Sequence, residues 1–405
     1  MRSAVLLAVL LLQMGAFAGE RVGVGDSRDG YESVTFTTDS RALTGTDGRA
    51  ADLLTLVGNP PLGLPQVPVP ETNPITESKI ALGRKLFFDR RLSGNGTLSC
   101  AMCHVPEQGF TQNELMTSVG VEGRFIKRNA PALYNVGYRE RLFHDGRENT
   151  LETQIWSPLL AFNEMANPSV GSVLERLEGA ADYAGLFEAA FGRGPTMETL
   201  GMALAAYERA LLSADSAFDR WHFAGDAHAM GESARRGFEV FNAAGCGSCH
   251  LVAEDHAHFT DELFHNTGVG YYQLVVRDRK VRKMMLAPGV EVDVKVDAFA
   301  PQVSDAGRYE ATGKPQDRWK YRTPSLRNVA VTAPYMHDGS LATLADVVIH
   351  YNNGGVPHQG LDPRIRSLGL SERQASDLVA FLESLTGSNI DRLAEDARST
   401  VIGDF

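Results

Sequence analysis

The sequence has few cysteines and tryptophans, no excess of basic residues, and no long apolar run beyond its first residues. Only four of its 405 residues are cysteine and three are tryptophan, so a disulfide-dense scaffold is excluded. Acidic residues outnumber basic ones by 50 to 39. Nucleic acid is therefore not expected as the main partner, because it repels a negative surface. The hydrophobic fraction of 43% is ordinary and predicts a packed core.

The N-terminal residues have the layout of a secretory signal. Arg2 precedes an apolar run of about 15 residues that ends at Ala16-Phe17-Ala18. A membrane anchor is the alternative, but the run is shorter than the ~20 residues that a spanning helix needs. We predict that residues 1–18 are a signal peptide, that the protein is exported to the periplasm, and that the mature chain does not insert into a membrane. Residues 19–75, with prolines concentrated in 59–70, are predicted to form an extended N-terminal segment.

All four cysteines fall into two C-x-x-C-H motifs. The motifs read Cys100-Ala101-Met102-Cys103-His104 and Cys246-Gly247-Ser248-Cys249-His250. This is the attachment pattern of c-type haem, in which two thiols join one porphyrin and the adjacent histidine binds its iron. A shared zinc site and a thioredoxin-like redox pair are the alternatives. The two motifs lie 146 residues apart and each carries its own histidine, which argues against zinc. A redox pair does not require that histidine and has a βαβ setting, which these motifs lack. The sequence therefore predicts two covalent haem c groups.

The pattern of apolar residues predicts a mostly α fold. Helical spacing occurs before the second motif, over Glu232–Phe241, and in Met197–Ala210 and Ser371–Leu385. Thr76 is a candidate N-cap, and the best strand pattern is short, at Val290–Val296. The segments leading into the two motifs are loosely alike. We predict two cytochrome c-like domains, an N-terminal peroxidatic haem domain at 76–228 and a C-terminal electron-transfer haem domain at 229–405.

Further motifs identify a family. Phe143-His144-Asp145-Gly146-Arg147 follows the first haem motif, with Gln154 ten residues after His144 and Glu164 ten residues after Gln154. The other motifs are Arg128-Asn129-Ala130-Pro131, Thr323-Pro324-Ser325-Leu326-Arg327-Asn328 and Ala333-Pro334-Tyr335-Met336-His337-Asp338-Gly339. In this order they resemble the bacterial dihaem cytochrome c peroxidase and MauG family, over about residues 72–388.

The resemblance implies roles for two residues at the first haem. The family glutamate that matches Glu164 is the acid/base catalyst over the open haem face, and the glutamine that matches Gln154 lies beside it. Without the motif register, Glu164 would be taken as an exposed surface carboxylate. Ordinary dihaem peroxidases also have a histidine that blocks the first iron, in the segment that matches 105–128. This sequence has no histidine there, which predicts a five-coordinate first haem.

The second haem is expected to have a different sixth ligand from that of ordinary dihaem peroxidases. Those enzymes place a methionine 17 residues after the proline that matches Pro334, and here that position is Tyr351. A tyrosine resembles MauG, where a phenolate binds the second iron, and a hard anionic donor favours Fe(III). His350 is adjacent and stays open as an alternative ligand.

Other expectations from the family concern the region between the haems. His144 stands where the family has a tryptophan that bridges the two haems. His144 could mediate through hydrogen bonds, Trp156 could replace the indole, or His144 could merely fill the volume and bond a propionate. His337 is expected to face a haem propionate. A calcium ion is expected at positions matching Asn129, Thr332 and Pro334, since amide and carbonyl oxygens suit a hard cation.

The predicted function is that of a periplasmic dihaem enzyme that reduces H2O2. In the MauG-like or MbnH-like form, it would oxidise a side chain of a partner protein. One alternative is a peroxidase that detoxifies H2O2 with electrons from a small cytochrome or cupredoxin. The other is a non-catalytic dihaem electron carrier, which would have both irons six-coordinate.

Overall fold

The computed structural model describes residues 48–276, 281–287, 290–295 and 305–400, with side chains described outside 273–295. The predicted signal peptide and residues 19–47 lie outside this part. The described chain is helix-rich. Its helices are α1 Leu53–Gly58, α2 Glu77–Phe88, α3 Leu151–Gln154, α4 Trp156–Leu160, α5 Val170–Glu178, α6 Leu186–Phe191, α7 Met197–Arg209, α8 Ala217–His222, α9 Glu232–Ala243, α10 Val269–Val276, α11 Tyr309–Thr312, α12 Leu344–Asn352, α13 Glu372–Glu383 and α14 Ile390–Ala397.

Two small antiparallel sheets accompany the helices. In one, β1 (Phe264–His265) pairs with β4 (Tyr321–Arg322), so that His265 lies opposite Tyr321. In the other, β2 (Val281–Ala287) pairs with β3 (Val290–Lys295). The predicted strand at Val290–Val296 is thus confirmed over its described residues. No helix in the described ranges is long and apolar enough to cross a bilayer.

The predicted helix starts are explained by their caps. The Thr76 side chain accepts a hydrogen bond from the Lys79 amide, and Thr196 and Ser371 cap α7 and α13 in the same way. Such caps satisfy amides that have no partner within the helix. The helices predicted at Glu232–Phe241, Met197–Ala210 and Ser371–Leu385 are all present. The segment predicted as extended contains one helix, α1, that was not predicted. The Asp52 side chain caps it.

The buried side chains form two main clusters. The first core contains residues of α2, α5 and α7, among them Leu86, Phe87 and Tyr207. The second core contains residues of α8, α9, α12 and α13, among them Phe241 and Phe381. The C-terminal helix α14 crosses back, because its Leu393 and Ala397 are buried in the first core.

The two cores repeat the same local geometry. In each, a glycine on the helix before the haem motif contacts the backbone of the crossing helix so closely that a Cβ would lie about 2 Å from a carbonyl oxygen. Each core also contains an asparagine with left-handed backbone, whose backbone amide donates to a leucine carbonyl. The side-chain oxygen of that asparagine accepts from the backbone amide of the residue two positions after the leucine. The matched residues, first core before second, are Gly83 and Gly237, Asn135 and Asn328, Leu211 and Leu385, and Ser213 and Gly387.

The proline-rich stretch at 59–70 joins the two cores. Leu64 and Val67 are buried in the first core. The Gly63 carbonyl accepts from the Arg327 guanidinium and from the Ala257 amide of the second half. Arg327 also pairs with the fully buried Asp219, at 2.8 Å. These contacts fix the N-terminal segment across the boundary between the two cores.

Candidate functional site

One cavity of about 890 Å³ lies between the two cores, and its lining contains the residues that the sequence favoured for the site, but not the alternatives His350 and Trp156. These residues are Cys100, Cys103, His104, Cys246, Cys249, His250, Gln154, Glu164, Tyr351, His144, His337, Asn129, Thr332 and Pro334. The cavity wall therefore contains both C-x-x-C-H motifs together with the residues expected opposite them.

The two motif histidines are held in the same way. His104 Nδ1 lies 3.0 Å from the Phe110 carbonyl oxygen, and His250 Nδ1 lies 2.8 Å from the Phe259 carbonyl oxygen. Both phenylalanines are fully buried and have left-handed backbone, with φ of 54° and 52°. Because Nδ1 donates to a carbonyl, Nε2 carries the lone pair that a metal needs.

Burial sets the protonation state of these groups. It lowers the pKa of both His104 and His250 below the ordinary histidine value, so both rings are neutral at neutral pH. It raises the pKa of the Cys246 thiol to about 11 and also raises that of Cys100. None of the four cysteines, all within the described residues, forms a disulfide.

Glu164 and Gln154 lie on the part of the cavity wall that comes from the first half of the chain, residues 76–228. A loop brings Glu164 there: its amide donates to the Ala161 carbonyl, and its carbonyl accepts from the Val121 amide at 2.9 Å. Burial raises the pKa of the Glu164 carboxyl, and the Arg147 charge opposes that rise only in part. Gln154 ends α3, whose N-cap is Thr150. The sequence-based alternative of an exposed surface carboxylate does not describe Glu164, which is half-buried.

Tyr351 and His350 face different surroundings. Tyr351 lines the cavity on α12, and burial together with the nearby Cys246 and Cys249 raises the pKa of its phenol above the ordinary value. His350 is not among the described residues that line the cavity. Its Nε2 instead lies 3.2 Å from the Thr267 carbonyl oxygen.

His144 and His337 both line the cavity and are connected through the Asn129 backbone. His144 Nε2 donates to the Asn129 carbonyl at 2.9 Å, and the Asn129 amide donates to the His337 carbonyl at 2.8 Å. Burial lowers the pKa of His144 to about 4 and that of His337 to about 3. Trp156, the proposed replacement for the family's indole, is buried in the first core and is not among the described lining residues.

The three residues expected at a calcium ion also lie in this region. The Asn129 side-chain amide donates to the Met116 carbonyl at 3.0 Å, and the Thr332 hydroxyl donates to the Val329 carbonyl at 3.2 Å. Asn129 is buried, and Thr332 and Pro334 share the cavity wall with it. The oxygens of these residues suit a hard cation.

The lining residues fit two haem groups. Each motif presents two thiols and a neutral imidazole to the same space. Among the buried polar atoms on the wall, His337 Nε2 and Glu208 Oε2 have no hydrogen-bond partner among the described residues. Buried polar atoms without a hydrogen-bond partner are rare in native proteins. Both could be satisfied by the polar edge of a large prosthetic group.

Comparison with known proteins agrees with this geometry. Residues 77–228 match the family model for di-haem cytochrome c peroxidase. The chain is 38% identical to the cytochrome c peroxidase IdrP1 of Denitromonas iodatirespirans, over 81% of this chain and 86% of that protein. The chain belongs to the dihaem cytochrome c peroxidase and MauG family. Members of this family are dihaem oxidoreductases, so the chain is an enzyme of that type.

Both branches of the dihaem peroxidase and MauG family are represented among its relatives. The chain is 38% identical to the methylamine utilization protein MauG of Methylorubrum extorquens, over 86% of this chain and 90% of that one. The crystal structure of a MauG-like protein associated with microbial copper homeostasis aligns with a TM-score of 0.66 and 33% identity, covering 82% of this chain and 96% of that chain. The fold is therefore that of the dihaem family, with two haem c groups implied.

Sequence reasoning missed several residues of the site. Phe110 and Phe259 act through backbone carbonyls, which leave no mark in the side-chain pattern. Glu208 was also missed, although an acidic residue on the apolar face of α7 is a signal that the sequence contains. In the structure, burial raises the pKa of Glu208 to about 8. Tyr321 was missed as well; it lines the cavity and stacks on His337.

Proposed function

We propose that the protein is a periplasmic dihaem enzyme that consumes H2O2 in its first half and spends the oxidising equivalents on a side chain of a partner protein. In this proposal, 76–228 is the peroxidatic domain and 229–405 is the electron-transfer domain. Cys100 and Cys103 attach one haem, and Cys246 and Cys249 attach the other. His104 would bind the iron of the first haem, and His250 would bind that of the second.

Bound haem supplies an iron centre that accepts and donates single electrons and, where one face is open, binds peroxide. The protein supplies the ligand geometry and the protons. The carbonyls of Phe110 and Phe259 hold the two imidazoles in the tautomer that presents Nε2. The absence of histidine from 105–128 supports an open face in the first half.

Glu164 is proposed as the group that moves the proton. Reduction of H2O2 takes two electrons and two protons and yields two waters, so one proton must pass from the inner oxygen to the outer oxygen before water leaves. The Glu164 carboxylate takes the first proton and returns it to the departing oxygen, a role that contributes about 10²–10⁴-fold in rate. Its raised pKa keeps it closer to the operating pH than an ordinary glutamate. Gln154 lies on the same wall and would orient the peroxide.

The assignment to the MauG-like branch is carried by Tyr351. Its side chain lines the cavity wall that also contains Cys246 and Cys249, whereas His350 Nε2 contacts the Thr267 carbonyl. These contacts favour Tyr351 as the sixth ligand of the second iron. A phenolate ligand favours the oxidised metal, which suits a half that stores oxidising equivalents.

A calcium ion is proposed beside the two halves, held by Asn129, Thr332 and Pro334. His337 is proposed to hydrogen-bond a haem propionate through Nε2, which has no partner among the described residues. The calcium assignment predicts that a chelator disturbs the haem surroundings. The His337 assignment predicts that His337→Leu does so as well.

A second candidate is a peroxidase that draws electrons from a small cytochrome or cupredoxin. The observation that favours it is the 38% identity to IdrP1, a protein named a cytochrome c peroxidase. The electron-carrier alternative is less favoured, because a pure carrier has no use for a buried carboxylate such as Glu164 on the wall of the first half.

Anaerobic titration of the diferric protein with H2O2 tests the proposal. One equivalent of H2O2 is expected to produce an oxidised protein two electrons above the resting state, which persists until a partner protein or reductant is added. Glu164→Gln is the matched variant and should reach that state much more slowly. Rapid turnover of H2O2 with a reduced small cytochrome, and no persistent oxidised state, would assign the protein to the peroxidase branch instead.

A further inference from the structure

On the wall of the cavity that contains the two haem motifs, one aromatic side chain stacks on a histidine at close range. The rings of Tyr321 and His337 are parallel within 16°, and their centroids are 3.7 Å apart. Tyr321 is 9% exposed and His337 is 6% exposed. Both line the cavity that contains the two C-x-x-C-H motifs.

Hydrogen bonds connect this stack to both halves of the molecule. The Arg322 amide, next to Tyr321, donates to the His144 carbonyl at 2.8 Å. His144 Nε2 reaches the Asn129 carbonyl, and the Asn129 amide reaches the His337 carbonyl. His144 and His337 occupy matching positions in the two halves, each followed by Asp-Gly. The stack and the Asn129 peptide thus form one connected group on the cavity wall, with members from both halves of the chain.

Charged neighbours hold the group without entering the stack. Arg128 pairs with Asp145 and Asp305 at 2.5 Å, and its guanidinium lies 5.9 Å from the Tyr321 ring centroid. The Tyr321 hydroxyl donates to the Asp305 carbonyl at 3.2 Å. Burial raises the pKa of Tyr321 above its ordinary value, so the phenol keeps its proton.

The geometry points to the Tyr321–His337 stack as the electronic bridge between the two haem pockets. Resting on the function proposed above, the inference is that electrons tunnel through the stacked rings. One electron leaves the second iron, one arrives at the first, and the stack itself returns unchanged with no proton transferred. The stack takes the place of an indole at position 144. His144 does not supply that function, because its ring and its carbonyl reach the stack only through the backbone groups of Asn129 and Arg322. Trp156 does not supply it either, because it is buried in the first core.

Electron redistribution in the half-reduced holoprotein tests this inference. One electron is delivered to the diferric protein by pulse radiolysis, and the absorbance of the two haems reports the movement of that electron from the second haem to the first. Tyr321→Phe keeps the ring and should keep the fast inter-haem phase. Tyr321→Leu removes the ring and should lose that phase. A fast phase that survives in Tyr321→Leu would overturn the inference.

Controls separate this result from general damage. Tyr138 also contacts a histidine, and its ring centroid lies 4.6 Å from that of His258. Tyr138 is not among the described residues that line the cavity. Tyr138→Leu should therefore keep the fast phase, and its loss there would contradict a specific bridge. If Tyr321→Leu fails to bind both haems, Tyr321→Met, which also has no ring, takes its place in the same measurement. Failure of the wild type to bind two haems or consume H2O2 would overturn the proposed function instead.

Discussion

The two halves of the molecule are alike on the side of the motif histidines and unlike on the opposite side. His104 and His250 each bond the carbonyl of a buried phenylalanine with left-handed backbone. Opposite them, the first half presents Glu164 and the second presents Tyr351. In the proposed function, the repeated geometry would hold one haem in each half, and the residues that differ would decide what each haem does.

Removing the cysteines of one half at a time gives the largest expected effects. Cys100→Ala with Cys103→Ala, or Cys246→Ala with Cys249→Ala, should each leave one covalent haem per chain, because each pair of thiols attaches one porphyrin. Only the first double variant should lose peroxide binding. Haem content by absorbance and the intact mass of the protein measure this. Two covalent haems in either variant would contradict the assignment.

Glu164→Gln should slow H2O2 consumption by about 10²–10⁴-fold, since the amide cannot carry the proton between the oxygens. Glu114→Gln changes an exposed carboxylate of the same half and should have little effect. Stopped-flow rates at neutral pH compare the two variants. Equal rates for wild type and Glu164→Gln would remove Glu164 from the mechanism.

The pH dependence of the wild type sharpens the role of Glu164. The base form must be present to accept a proton, so the rate should fall as pH drops through the Glu164 pKa. Burial raises that pKa above the ordinary 4.5, so the decline should begin at a higher pH than an exposed glutamate would give. In Glu164→Gln this acid limb should disappear. An acid limb that persists unchanged in the variant would assign it to another group.

Tyr351→Met should convert the second half to a ligand that favours Fe(II) and raise its reduction potential. The rise should be on the order of 0.1 V or more, within the roughly 0.8 V that axial ligands span. His350→Ala is the matched control and should change the potential little, because His350 contacts the Thr267 carbonyl. Spectroelectrochemical titration measures both. A large shift in His350→Ala, with none in Tyr351→Met, would reverse the ligand assignment.

The repeated glycines give the smallest expected effects. A Cβ on Gly83 would lie 2.0 Å from the Ala203 carbonyl oxygen, and one on Gly237 would lie 1.9 Å from that of Asp377. Each alanine substitution should lower the free energy of unfolding by about 1–3 kcal/mol, because backbone must move. Gly171→Ala meets only a side-chain atom at 3.7 Å and should stabilise by about 0.5–1 kcal/mol. Denaturant unfolding compares them, and equal effects at all three positions would contradict the repeated crossing geometry.

Much of the fold and site could be predicted from local patterns. The cap at Thr76 and the helices around 197–210, 232–241 and 371–385 follow from side-chain spacing and capping chemistry. The C-x-x-C-H motifs are local in sequence, so their chemistry can be read without a structure. The register from Pro334 to Tyr351 rests on the family resemblance and not on a local pattern; Tyr351 lines the cavity, and its role as an iron ligand stays a prediction.

Other features depend on contacts between distant residues and could not be predicted. The return of α14 to the first core is decided by packing of Leu393 and Ala397, which resembles any amphipathic pattern. The Phe110 and Phe259 carbonyls act through the backbone. The Tyr321–His337 stack requires β4 to pair with β1, and two-residue strands carry no periodicity that the sequence could reveal.

Electron paramagnetic resonance of the resting diferric protein tests the central asymmetry most directly. With an open first haem and a His/Tyr-ligated second haem, the spectrum should contain one high-spin and one low-spin ferric signal of equal spin count. Two low-spin signals would mean that a side chain also binds the first iron, and would contradict this account of the protein.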